Sequence, residues 1–347
     1  VLGGLFGSAR APTLPTTVPA EEPVVAPPSF TTTTTRVPRD VTRLATMVPG
    51  LVDGVVITIP ADLGGRQVWV WEASAEAPTP RPLPGGELAA DLGGSWLSSV
   101  TPSRFSIGNA LWIGDDDRMD PAATNVIGAT WSSSLPARVI WSEITSTAET
   151  VLVEAEFRTR GSPQRRVIAR IPPGAYPVWW TEAGVVVATS RQLTVIDDAG
   201  RVVAQADGIF LAGGSTFGVA ELGGSVQLVS ADLTPVMEVP WGRDCGIVSF
   251  SPTDPGTVAV VCGAAADSRL EVWTMGGAEG SGWEVEVTVE GVDRVVPAWS
   301  PDGRFVASAS TDRFRPRSDL VFADLETGAR YRIPFRARVL GLAFTRT

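Results

Sequence analysis

A four-part unit recurs along this chain, and the recurrence limits what the chain can fold into. It is plainest at AWSPDGRFVASAS (298–310), where a short apolar run meets a Pro-Asp-Gly turn and a second apolar run follows. A third run, SDLVFADLETG, and a fourth, ARYRIPF, complete the unit. SFSPTDPGTVAVVCGA (249–264) opens another copy, continued by RLEVWTMGG and WEVEVTV. TWSSSLPARVIWSEI (130–144) leads into TVLVEAEFRTRG and RRVIARI, and VWWTEAGVVVATS (178–190) into RQLTVIDDAG and RVVAQA. STFGVAELGG, SVQLVSADLTP and VMEVP form a fainter copy. Runs this short, many with period-two alternation and all bounded by Gly, Pro, Asp or Ser, predict strands joined by tight turns. No helical stripe is legible after about Val41.

Four strands repeating every 35 to 50 residues or so predict the blades of a β-propeller. A single blade leaves both faces bare, and a ring covers them by packing blade on blade. RVLGLAFTR (338–346) reads as an innermost strand with no blade after it. LVDGVVITI, RQVWVWEA and PRPLP read as outer strands with no innermost strand before them. The expected fold is therefore all-β, a propeller of six or seven four-stranded blades, with the C-terminal strand joining and completing the first blade. A seventh, irregular blade would occupy 86–125. The Pro-Asp-Gly turn is mechanical in this reading: proline presets φ and Asp-Gly allows a tight reversal. The paired glycines at Gly64, Gly213 and Gly223 also read as turns.

WSPDGRFVASAS resembles the WD40-like repeat of exported bacterial propellers such as the TolB family. That resemblance implies a propeller whose role is to bind other proteins without catalysis. The Trp-Asp dipeptide of WD40 repeats is absent, and the N-terminal segment is foreign to TolB. ADLETGARY (323–331) resembles the docking stretch of quinone-dependent propeller dehydrogenases. It fits a third strand turning into a fourth equally well, so no cofactor follows from it.

The side-chain inventory narrows the chemistry. All 28 basic residues are Arg, with no His and no Lys. This removes Ser-His-Asp and Ser-Lys nucleophiles, Schiff bases, the P-loop lysine and histidine metal ligands. Carboxylates and two tyrosines, Tyr176 and Tyr331, are what remain for acid–base work. A net charge of −10 and a pI near 4.7 disfavour nucleic acid and anionic membrane surfaces as partners. Arg-only cations beside just Asn109 and Asn125 fit the codon bias of a GC-rich bacterial genome.

Three segments are expected. Residues 1–10 are an apolar stub, too short for the roughly 20 residues of a membrane span, and read either as the end of a membrane or signal segment or as a ragged start. Residues 11–40, rich in Pro and Thr, read as a disordered stalk, extended by proline and able to carry sugars on Thr. Residues 41–347 form the propeller. Stub and stalk together point to an extracytoplasmic, surface-tethered or secreted protein with a membrane tether possible upstream of residue 1.

Cys245 and Cys262 flank a hairpin that turns near Asp254, so antiparallel pairing should face them and allow a disulfide in an oxidising compartment. Two buried cytoplasmic thiols are the alternative. GDDDRMDP (114–121) gathers Asp115, Asp116, Asp117 and Asp120, hard oxygens suited to calcium, though a solvated acidic loop is the plainer reading. In TDRFRPRSD (311–319), Arg313, Arg315 and Arg317 surround Phe314 between two strands, which places them on one rim. They suit an acidic or carbohydrate partner, and ion pairing to nearby Asp is the competing explanation. Trp131, Trp141, Trp273 and Trp299 stand where blades need bulky filler. The expected function is recognition of a protein or cell-envelope component through rim loops, by a monomer without enzymatic activity. The competing class is a carboxylate-dependent glycoside hydrolase, which needs two acids facing each other at about 5–10 Å. VVPAWS, GIVSFS and VIGATWS carry no acid, and Glu182 is the nearest exception.

Overall fold

The computed structural model describes residues 43–60, 66–81, 98–101, 104–107, 110–115, 118–123, 126–131, 138–156, 164–242, 244–263, 267–276, 282–311 and 317–344, and within 98–126 the strands without their side chains. One turn of helix, α1 (Leu44–Met47), precedes the first strand. Everything else regular is antiparallel sheet.

The strands fall into units of four. The first three after α1, β1 (Val55–Pro60), β2 (Arg66–Trp71) and β3 (Thr79–Arg81), form one sheet with the last strand of the chain. Next come β4 (Ser98–Thr101), β5 (Arg104–Ile107), β6 (Ala110–Asp115) and β7 (Arg118–Ala123), then β8 (Val126–Trp131), β9 (Arg138–Ile144), β10 (Thr150–Glu156) and β11 (Gln164–Ile171). The fourth unit is β12 (Tyr176–Thr181), β13 (Gly184–Ala188), β14 (Gln192–Ile196) and the first half of β15 (Val202–Gly213). The second half of β15 opens the fifth, with β16 (Gly218–Leu222), β17 (Ser225–Val229) and β18 (Pro235–Glu238). The sixth holds β19 (Ile247–Phe250), β20 (Thr257–Cys262), β21 (Arg269–Met275) and β22 (Trp283–Glu290). The seventh holds β23 (Ala298–Trp299), β24 (Phe305–Thr311), β25 (Ser318–Asp324) and β26 (Arg330–Phe335). β27 (Gly341–Phe344) returns to pair with β1, placing Leu342 opposite Ile57.

Within a unit, burial follows strand order. The innermost strand alternates, as in β19 and β27. The second is buried on both faces: every residue of β13 and β20 is buried. The outermost, such as β11, is largely exposed. GVVVA and TVAVVC are continuous apolar runs because a sheet lies against each face, and alternation survives only where one face is free.

The core is consequently a series of layers between sheets. Ile140 and Leu152 of the third unit meet Val185 and Val187 of the fourth. Val186 and Leu193 meet Ala220 and Leu222 of the fifth. Val226 and Leu228 meet Val258 and Val260 of the sixth. Ala259 and Val261, on the other face of β20, meet Val306 and Val321 of the seventh. Phe305, Leu320 and Phe322 meet Val55, Ile57, Leu342 and Phe344 of the first, where Leu44 of α1 also packs.

Two sequence expectations need correction. Gly213 is the last residue of a strand and not a turn, whereas Gly223 does stand in the β16–β17 turn. The fifth unit takes its innermost strand from GIFLAG (208–213), which runs on from the fourth without a loop.

Candidate binding rim

The WSPDGR turn knits itself together. Ser300 Oγ donates to Asp302 Oδ1 at 2.5 Å and accepts from the Phe305 N–H at 2.8 Å. The Arg304 N–H donates to the same Asp302 oxygen at 3.0 Å. From this turn the Arg304 guanidinium reaches the end of β25. Its Nε and Nη2 donate to the two oxygens of Asp324 at 3.0 and 2.8 Å, and Nη1 lies 2.7 Å from Glu326. Asp324 is fully buried. The guanidinium holds its carboxyl down to about 2, helped by the Glu326 N–H, and Asp324 in turn raises Arg304. ADLETGARY is thus the β25–β26 connection, with its aspartate consumed by this tie. Arg304 and Asp324 fasten the turn to β25, while Glu326 stays 66% exposed beyond that tie.

Tryptophans tie adjacent innermost strands. Trp299 Nε1 donates to Ser249 Oγ at 3.1 Å, from the seventh unit to the sixth. Trp179 Nε1 donates to the Gly214 carbonyl at 2.7 Å, from the fourth to the fifth. Gly213 makes that approach feasible, since a Cβ there would stand 2.2 Å from the Trp179 ring. Trp141 is buried and Trp273 half-buried in an aromatic group with Trp241, which agrees with the filler role expected of them. The Trp131 side chain lies outside the description.

The innermost strands as a set have one chemical property. SSVT, VIGATW, YPVWWT, GIFLAG, IVSF, AW and GLAF contain no Asp, Glu or Arg. Glu182 is exposed in the β12–β13 hairpin, and Tyr331 packs against the layer between the seventh and first units.

Charge instead concentrates at an outer corner of the third unit, where β9 begins, β10 ends and β11 begins. Strand register sets Glu154 opposite Arg166, and Glu156 opposite both Arg138 and Gln164. Glu154 is nearly buried and shared by two guanidiniums, that of Arg166 at 2.5 Å and that of Arg138. Arg138 also lies over the Trp180 ring of β12 at 5.1 Å. On the opposite face, Arg165 pairs with Glu143 at 2.6 Å and stacks over Trp141 at 5.2 Å. Arg138, Glu154, Glu156, Gln164, Arg165 and Arg166 line a groove of about 540 Å³. A carboxylate this buried persists because two cations accompany it. Each guanidinium has five donors, more than one carboxylate can occupy, so the groove offers hydrogen bonds to a polar or anionic ligand. Sequence reading passed over this corner. Its signal was the Arg-Arg pair of QRRVIARI beside VEAE, whose meaning depends on register.

Of the residues singled out from sequence, Arg317 is exposed just before β25, and Arg313, Phe314 and Arg315 lie outside the described residues. Asp115 ends β6 and Asp120 lies in β7; Asp116 and Asp117, between those strands, fall outside the description. Among the described residues no three His, Cys, Asp or Glu side chains are grouped to hold a metal ion, and no helix is long and apolar enough to cross a membrane. Cys245 and Cys262 are joined in a disulfide with Cα atoms 3.9 Å apart. Cys245 stands just before β19 and Cys262 ends β20, so the two face each other across the hairpin as their spacing about its turn predicts.

No protein-family model matches the chain, and no curated protein matches it significantly. Among solved structures, a candidate 6-phosphogluconolactonase from Bacteroides fragilis superposes with a TM-score of 0.55 at 12% identity, over 85% of this chain and 98% of that one. The fold is a β-propeller. Looser matches include dihydro-heme d1 dehydrogenase NirN (TM-score 0.49, 13% identity, 84% and 75% covered) and TolB from Acinetobacter baumannii (0.44, 12%, 85% and 67%). At 12% identity the Bacteroides match carries architecture and none of that protein's chemistry.

Proposed function

We propose that residues 41–347 are a seven-bladed propeller, closed by β27 and exported from a bacterial cytoplasm, that binds a protein or cell-envelope component through its rim and catalyses no reaction. Seven four-stranded units, the apolar layers joining the third through the seventh and on to the first, and the β27–β1 ladder support the ring. The disulfide and the Pro/Thr-rich stretch 11–40 support export.

The observation that carries the non-catalytic reading is the uncharged innermost strand set. Hydrolysis at the axis of a propeller needs an acid and a base, or two facing acids, on the strands or loops around that axis. Among the described residues these strands supply none; the Arg304–Asp324 tie and the outer corner of the third unit hold charge away from them, and Glu182 stands alone as an exposed acid in the β12–β13 hairpin. Recognition needs no such groups, only exposed side chains on rigid loops.

The test pairs two measurements on the full chain. Photo-crosslinkers placed at Arg336, in the span whose Ala337 carbonyl accepts from the Ser318 N–H next to Arg317, and, on another connection, at Glu326 should capture one specific envelope partner from one rim. Combined Arg313→Ser, Arg315→Ser and Arg317→Ser should weaken that capture about tenfold if the arginines contact it. Chromogenic glycosides and lactones should show no turnover. Hydrolysis abolished by Glu→Gln substitution, or cross-links unaffected by the triple change and equal from both rims, would overturn the reading.

A further inference from the structure

Many of the described arginines hold a carboxylate of this chain, as Arg138, Arg165, Arg201, Arg269 and Arg304 do. Arg317, Arg336 and Arg338 are exposed and, among the described residues, hold none. Arg43, Arg191 and Arg330 hold none either, but they stand singly, before α1, in the β13–β14 turn and at the start of β26.

One hydrogen-bonded knot carries the first three. Buried Ser318 donates its N–H to the Ala337 carbonyl at 3.2 Å and accepts the Val339 N–H on its Oγ at 3.0 Å. Arg317 precedes Ser318, and Arg336 and Arg338 flank Ala337. The far end of the same connection is pinned as well, since the Leu340 N–H donates to the Thr58 carbonyl of β1 at 2.8 Å. Val339 is buried between the two anchors. Two segments bearing three cations are thus fixed against each other by main chain, and binding there orders only side chains. Asp319, the acid next in sequence, is half-buried in β25 and forms no ion pair with any of the three. In a molecule of net charge −10, grouped cations that the fold leaves uncompensated favour an anion from outside. Guanidinium grips carboxylate through two parallel N–H donors. The small extent of the group chooses among anions. A long polyanion or an anionic membrane would run past three cations onto a surface of net negative charge, whereas two or three carboxylates on a peptide would not.

We propose that the knot joining Ser318 to the β26–β27 connection is the docking site of a short acidic segment of a partner protein, whose carboxylates are taken by Arg317, Arg336 and Arg338. This rests on the binding reading above and deepens it, naming the partner's chemistry and adding two arginines that the sequence did not single out. Arg317 is not paired to a nearby Asp among the described residues, which was the competing explanation for it.

The test titrates the full chain with a fluorescein-labelled flexible peptide bearing three spaced aspartates, read by anisotropy. Controls are the same peptide with asparagine for aspartate, inorganic polyphosphate, and phosphatidylglycerol vesicles. The aspartate peptide should bind, and more weakly as salt rises past about 0.1 M. Arg317→Ser, Arg336→Ser and Arg338→Ser together should weaken it about tenfold, as three exposed charge pairs would predict. Arg43→Ser, Arg191→Ser and Arg330→Ser together remove the same charge from scattered sites and should change it less than about twofold. Arg338→Glu alone, a single exposed reversal, should weaken it as well. Equal binding of the asparagine peptide, tighter binding of polyphosphate or vesicles, equal weakening by the scattered set, unchanged affinity in Arg338→Glu, or no binding at millimolar peptide would overturn the proposal. The rim cross-links report a partner of any chemistry, so capture can persist where this peptide fails, and the two readings fall separately.

Discussion

Asp324 is ionised without contact with water, and Arg304 is what keeps it so. Its folded carboxyl titrates at about 2 against 3.8 when unperturbed, a depressed value. The stability this confers is complete above the unfolded value and is lost as pH falls from about 4 toward 2, some 2 kcal/mol in all. Denaturant titrations of the native chain over that window should show the loss, and Asp324→Asn should start lower and lack that component of the slope. Arg304→Ala should be worse than Asp324→Asn, because it strands a buried charge at a cost of about 3 kcal/mol. At Gly213 the issue is room. A methyl group there would collide with the Trp179 ring, so Gly213→Ala should destabilise by about 1–3 kcal/mol and shift Trp179 fluorescence; an unchanged midpoint would mean the contact relaxes freely.

At the level of elements, strand identity was readable because each run is short and bounded, and burial on both faces of GVVVA and TVAVVC explains why alternation failed there. The fifth unit's innermost strand was not readable. Asp207-Gly208 is a strong hairpin signal, yet it stands inside β15, where Gly208 lets the backbone of β16 pass: a Cβ would meet the Glu221 carbonyl at 2.3 Å. The charged corner of the third unit escaped for a different reason. Period two puts Glu154 and Glu156 on one face and splits Arg165 from Arg166, but only register decides which arginine each acid meets. The disulfide, by contrast, followed from the near-equal spacing of Cys245 and Cys262 about one turn. Its reduction should cost about 3 kcal/mol for a separation of 17 residues, read as a lower denaturant midpoint that Cys262→Ala reproduces.

For the molecule as a whole, the inferred closure rests on a strand of four residues. β27 supplies Leu342 and Phe344 to the layer shared with Phe322, whose ring lies 6.3 Å from that of Phe344. Deleting residues 338–347 should remove at least about 4 kcal/mol from those two side chains and broaden the unfolding transition as cooperativity fails. A truncated chain with the same sharp midpoint would show that the first and seventh units hold together without it. The overall plan was legible from repetition, since most copies announce four strands and the fainter one three. The proposed rim was legible only as a composition of arginines, because loops carry no periodicity from which position could be inferred.

The unbroken passage of β15 from the fourth blade into the fifth bears on how such a molecule can be remodelled. Elsewhere the backbone crosses between blades in spans such as 172–175, 291–297 and 336–340, where a graft or a new pair of termini would fall between strands. At β15 there is no slack to cut. Two neighbouring spokes are therefore joined by one unbroken rod, and accretion of new modules over evolutionary time, or by engineering, has to bypass that seam.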